Sequence, residues 1–408
     1  MWRLQSPREC AGKLGGRRPL NLKVQKGRAV IVPPASLTRV STALLEDQLI
    51  RRSVFSALMS IALILLCCSC ASRLLQGALI PNAQSADGTT KIPILVGTTR
   101  NRATSDPGEM FDSNRGPEVA YASIAVSIPP DSARKIGEIQ WPSAPPGDPA
   151  RNFVTVSAKY LDNQSFSGAV TAVAKQTRRT KVLVFVHGFN NRFDEAVYRL
   201  AQIIQDSRVP AIPVLFSWPS RGEVRLVAYA YDRESASYSR TALEQLLDTL
   251  SANPNINEIT VLAHSMGCVV TLEALRAIQS KRFGDKVKNV LLVAPDVAVN
   301  DFQTEIQQLG RRRPRIALFI SQDDGALKLS RTIAGGIQRL GDIDPQQEPY
   351  KTEFAREGIM VFDLSHLNGE AHSRAFEDIT SVMGMIKQRL AAGQQLSSSG
   401  ALSAAAAQ

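Results

Sequence analysis

From residue 180 onward the chain alternates short apolar runs with stretches long enough for a helix, and that alternation leaves few folds open. The sequence predicts strands over 181–186, 213–218, 259–263, 287–293, 316–320 and 359–364, each halted by Gly, Pro or polar residues. Helical spacing is expected over 194–205, 234–250 and 266–278, with a last helix inside 371–390. Continuous apolar strands joined by helical crossovers form a mostly parallel sheet covered by helices on both faces, an α/β architecture. Upstream, 92–96 and 121–128 are expected as strands, 136–141 and 153–158 as weaker ones, and 141–147 as irregular.

Ligands of an open parallel sheet bind beyond the carboxyl ends of its strands, so the polar residues that stop the apolar runs are the candidates for chemistry. Val261-Leu-Ala-His-Ser-Met-Gly-Cys268 places a serine on a strand-to-helix turn, the setting of a nucleophile elbow. A helix cap would also explain Ser265, but not Gly267 or the residues downstream. A serine hydroxyl needs a base held by a carboxylate, in the chain order Ser, Asp, His on this fold. Ser265, Asp324 and His372 satisfy that order; Asp296 is the alternative acid, with Asp323 and His366 as further substitutes. The backbone N–H groups of Met266 and Phe189 are the expected oxyanion donors. His187 is read as a structural hydrogen-bonder, and Gly188 as a position where the chain passes close to a bound carbonyl. An unchosen Asp296 would hydrogen-bond the backbone N–H groups of its own loop.

The formal charge of +11 invites a nucleic-acid reading until its location is counted. Residues 1–52 hold eleven Lys/Arg against three Asp/Glu, and the rest is nearly balanced at thirty-seven against thirty-four. The excess is thus a basic extension over 1–50, which a start codon assigned too far upstream would explain, and no nucleic-acid partner is expected. Residues 51–72 join Arg51-Arg52 to an apolar run over 54–68 and then small residues around Cys70. As a helix that run reaches about 22 Å, short of the roughly 30 Å bilayer core, and fits a signal or short anchor. Cys70 resembles a lipoprotein acylation site, although Cys67 stands where such sites usually carry Leu. These features place the protein in the cell envelope, exported and lipid- or membrane-anchored. A linker is expected over 73–90, the folded domain over 91–392 and a disordered tail over 393–408.

Six segments in order then resemble one bacterial family of α/β-hydrolases, described as domains of unknown function of esterase/lipase-like character. They are Phe185-Val-His-Gly-Phe-Asn190, Phe216-Ser-Trp-Pro-Ser-Arg-Gly222, Tyr231-Asp-Arg-Glu-Ser235, Ala263-His-Ser-Met-Gly267, Ala294-Pro-Asp296 and Ser321-Gln-Asp-Asp-Gly-Ala-Leu327. The resemblance spans about residues 90–392 and implies an α/β-hydrolase fold with Ser265 as nucleophile, Asp324 as acid and His372 as base. It departs from the common pattern at Ala263, where a glycine usually stands, and at Cys268, where the family tends to a polar residue. Arg221, Tyr231, Asp232 and Arg233 either line the mouth of the site or form a salt-bridged loop beneath it.

The expected function is therefore a serine hydrolase acting on a small-molecule or lipid-like carboxylic ester, with acyl transfer or amide cleavage open to the same triad. The alternative is a non-catalytic envelope scaffold with this fold. Only about twenty residues separate the strands at 293 and 316, too few for a large apolar lid. No cofactor and no metal are expected, because the chain lacks a phosphate-cradling Gly-rich loop and a Cys/His ligand cluster.

Overall fold

The computed structural model describes residues 77–104, 108–278 and 284–384. Three strands come first: β1 (Thr90–Arg102), β2 (Phe111–Ile128) and β3 (Val154–Leu161). Six more follow: β4 (Lys181–Val186), β5 (Ile212–Ser217), β6 (Glu258–His264), β7 (Val287–Val293), β8 (Arg315–Ile320) and β9 (Met360–Asp363). They form one sheet in the order β3-β2-β1-β5-β4-β6-β7-β8-β9. β1 to β3 pair antiparallel, and every pairing from β1–β5 through β8–β9 is parallel.

The helices are α1 (Asn163–Thr177), α2 (Phe193–Ser207), α3 (Leu226–Ala252), α4 (Gly267–Ile278), α5 (Val299–Leu309), α6 (Gly325–Ile333), α7 (Tyr350–Glu357) and α8 (Arg374–Glu377). Side chains alternate across a strand, so β4 feeds two cores at once. Val182, Val184 and Val186 join one apolar cluster with Phe166 of α1, Leu243 of α3 and Val270 of α4. Leu183 and Phe185 join the other with Leu200 and Ile204 of α2 and with Phe376 of α8. Each such aliphatic side chain contributes about 1.5–3 kcal/mol on burial, which is why both helical layers stay on the sheet. Local chemistry sets their ends. Asp162 caps α1 by accepting from Ser165 N at 2.7 Å. The Glu195 side chain accepts from Arg192 N at 2.8 Å to open α2.

The mostly parallel, doubly covered sheet is the arrangement that the apolar alternation implies. Four points differ. The weak strand over 136–141 is irregular, because its amides turn to local carbonyls and a side chain instead of a neighbouring strand: Glu138 N to Lys135 O, Trp141 N to Ile139 O and Gly137 N to Asp206 Oδ2. α3 starts eight residues before the expected 234, since its first turns leave Leu226 and Val227 exposed and break the apolar period. α1 was not foreseen: it buries only Phe166, Val170 and Ala174, a stripe one residue wide. Part of the expected linker is also fixed to the domain. Ala78 and Leu79 are buried, Leu79 N donates to Gly108 O, and Asn82 N donates to Thr155 O. Among the described residues no helix is long and apolar enough to cross a membrane. The basic extension, the signal or anchor segment and the tail lie outside the described residues.

Candidate active site

β6 ends at His264, and the chain reverses through Ser265 and Met266 into α4. Ser265 takes φ +52°, a left-handed conformation that non-glycine residues rarely hold unless the surroundings enforce it. Two glycines make room for that turn. A Cβ on Gly267 would stand 2.4 Å from His187 O and 2.7 Å from Val186 O, so α4 can begin directly against β4 only with glycine there. A Cβ on Gly188 would meet Ser265 Cβ at 2.8 Å and His264 Nδ1 at 2.9 Å. The tight contact of Gly188 is with the elbow itself, which corrects the expectation that it leaves space for a substrate carbonyl. Backbone bonds lock the turn: Ser265 N donates to Val293 O at 2.9 Å, and Asp296 N donates to Ser265 O at 3.3 Å. One turn on, the Cys268 thiol is fully buried and donates to Ala263 O at 3.4 Å; burial pushes its pKa well up, and the charge of Asp296 adds to that.

Beyond β8, Asp324 caps α6 with one carboxylate oxygen, accepting from Leu327 N at 3.0 Å. Its other oxygen accepts from His372 Nδ1 at 2.8 Å. An ionised carboxylate can only accept, so His372 carries its proton on Nδ1 and keeps the Nε2 lone pair as a base. Burial acts to lower the pKa of His372, but the Asp324 charge and hydrogen bond outweigh it and the value lies above the ordinary 6.5. For Asp324, burial acts upward and the His372 pairing downward; the net shift is down, so the carboxylate is ionised.

His372 reaches the elbow through His264. The two rings lie 4.8 Å apart between centroids, and His264 Nε2 donates to His372 O at 3.0 Å. Phe376 closes the other side of the His264 ring at 5.1 Å. Burial, with the nearby positive field of His372, drives the pKa of His264 down to about 3, so this imidazole is a neutral spacer. Ser265 Oγ makes no hydrogen bond to His372 in this structure, a contact that ligand-free sites often hold open until substrate arrives. What the two share is position: Ser265 follows β6 and His372 follows β9, both beyond the carboxyl ends of the parallel strands. The spacer role of His264 was missed in the sequence; its only signal is that the last strand residue before the serine points to one fixed face.

The remaining candidates occupy other environments. Asp323 pairs with Arg374 through two contacts of 2.9 Å, and His366 is exposed. Asp296 is buried beyond β7, but not on its own loop's N–H groups as expected. It accepts from Ser330 Oγ at 2.6 Å and Tyr229 Oη at 3.1 Å and pairs with Arg339 Nε at 3.1 Å. Small side chains in its own loop leave the carboxylate open to partners from α3, α6 and the segment after it. His187 donates from Nδ1 to Gly188 O at 2.9 Å and accepts at Nε2 from Trp218 N at 3.2 Å. Burial and the Arg100 charge hold its pKa near about 3, so both ring nitrogens are engaged and neutral.

Among the described residues, the N–H groups of Met266 and Phe189 have no protein acceptor. Phe189 is held by Asn191 Nδ2 donating to its carbonyl at 2.9 Å and by an edge contact with Tyr229 at 5.4 Å. Asp232 is buried and accepts from Ser220 Oγ and Arg221 N, while Arg221 covers the Tyr231 ring at 3.9 Å. The loop at Ser220-Arg221 is thus bonded to the first turns of α3.

Among solved structures, the chain is similar to a fungal esterase from Rhizomucor miehei at 12% identity, over 75% of this chain and 85% of that one, with a TM-score of 0.32. It is similar to a siderophore hydrolase from Aspergillus nidulans at 12% identity, over 74% and 97%, with a TM-score of 0.32. A third is naproxen esterase from Bacillus subtilis at 12% identity, over 52% and 84%, with a TM-score of 0.26. No curated protein matches the chain. The family model described as alpha/beta hydrolase of unknown function (DUF900) matches residues 162–389, more than half of the sequence, and the chain belongs to that family.

Proposed function

We propose that the protein is a serine hydrolase that cleaves carboxylic esters through an acyl-enzyme on Ser265. The observation that carries this reading is the Asp324–His372 hydrogen bond at 2.8 Å, set at the end of the sheet where Ser265 is held at φ +52°. His372 Nε2 takes the proton from Ser265 Oγ as that oxygen bonds the ester carbonyl carbon. The oxyanion that results is met by the N–H groups of Met266 and Phe189, and Asp324 stabilises the imidazolium. As the C–O bond breaks, His372 returns the proton to the departing alcohol. Water then attacks the acyl-serine with the same base, releasing the acid and restoring the serine.

Family membership supports hydrolase activity in general; the ester is our reading of the substrate, and amide cleavage or acyl transfer would use the same triad. The amino-terminal segment over 51–72 favours the cell envelope as location, which metabolic labelling with an alkyne fatty acid, compared with Cys70→Ala, would check.

A fluorophosphonate probe tests the mechanism. Wild-type chain should become labelled and Ser265→Ala should not, and p-nitrophenyl esters of increasing chain length would then rank the acyl group. Labelling that persists in the variant, or is absent from both, would remove the acyl-enzyme reading and leave a binding scaffold.

A further inference from the structure

Six of the ten large apolar side chains exposed among the described residues lie at the strand ends that carry the site. Val224, Leu226 and Val227 lead into α3, with Leu226 67% and Val227 82% exposed. Leu329, Ile333 and Ile337 lie on α6 and just beyond it. The hydrogen bond between Tyr229 Oη and Ser330 Oγ at 2.8 Å ties the first turn of α3 to α6, so the two groups flank one bridge. Single exposed apolar residues are ordinary; a set gathered around one cleft marks a surface for a partner.

Charge says which partner. The same two segments expose Arg221, Arg225, Arg233, Lys328 and Arg331 against Glu223 and Glu234. Glu223 is paired with Arg225 and Glu234 with Arg115. Apolar side chains set among excess cations are the composition of a segment that rests in an anionic lipid interface.

We propose that the rim formed by the start of α3 and by α6 docks on an anionic lipid surface, so that the cleft opens toward the bilayer. This rests on the reading of Ser265 only in making lipid-borne esters the substrates so delivered. Full-length Val227→Trp and Lys288→Trp, the second an exposed position at the opposite end of the sheet, are mixed with brominated phosphatidylcholine vesicles with or without phosphatidylglycerol. Insertion of the rim by roughly 5–10 Å should quench the added indole at 227 about twofold in the anionic vesicles, and that at 288 hardly at all. The same result is expected in a Ser265→Ala background, so failure of the esterase reading leaves this test standing. Equal quenching at both positions, quenching at neither, or a blue shift at 227 that follows protein concentration without lipid overturns the proposal. The last outcome would make the rim an interface between copies of the chain.

Discussion

Two carboxylates sit beyond adjacent strands of the same sheet, both buried, and their surroundings make them different tools. Asp296, after β7, is enclosed by a guanidinium, a serine hydroxyl and a phenol. Asp324, after β8, spends one oxygen on a helix cap and gives the other to an imidazole. A carboxylate beside a permanent cation is neutralised by it and stabilises the fold. One beside a titrating ring is available to orient that ring and answer its change of charge. Position at a strand end is thus shared by both residues, and the neighbour decides the role.

The sharpest way to break this contrast is Asp324→Asn. The amide cannot hold the imidazole in the required tautomer, so kcat for ester hydrolysis should fall by about four orders of magnitude. Steady-state rates on a p-nitrophenyl ester measure it; a loss under tenfold would shift the acid role to Asp296. Asp296→Asn should act on folding, leaving the buried Arg339 charge unpaired at about 3–5 kcal/mol, read from the urea midpoint. Molecules that remain folded should keep kcat within about tenfold, since the loss of binding partners there does not touch the imidazole. Ser330→Ala removes one hydrogen bond to the same carboxylate and should cost about 1.5–3 kcal/mol by the same measurement. The smallest effect is on pH. Protonated His372 cannot accept a proton, so activity rises as the ring deprotonates, and its raised pKa puts that rise above the ordinary histidine range. Residual activity of Asp324→Asn should rise at lower pH than wild type, and Asp296→Asn should shift the profile less.

How much of this could be read beforehand follows the range of the interactions. β4 has the bounds that its apolar run implies, because a strand buried on both faces leaves no other pattern, and β7 keeps its expected bounds although Lys288 and Asn289 interrupt its run. α1 escaped notice because it buries one residue per turn, and the strand expected over 136–141 failed because no strand pairs with its backbone, although Trp141 stacks on Tyr198. In the site, Ser265, Asp324 and His372 are ordered by topology, which sequence carries. The partners of Asp296 are not: Tyr229, Ser330 and Arg339 lie 34 to 67 residues away or on a loop without a motif. The intermediary ring of His264 was hidden for a similar reason, since its contact with His372 spans 108 residues.

The backbone at position 265 also restricts which chemistry this scaffold can acquire. At φ +52° a β-branched side chain is a steric outlier, whereas an unbranched one of similar size is tolerated. Threonine is therefore closed to the turn despite its hydroxyl, and cysteine is open to it. A descendant of this chain could trade oxygen for sulfur in one substitution, but could not move to a secondary alcohol without rebuilding the contact between Gly267 and the end of β4.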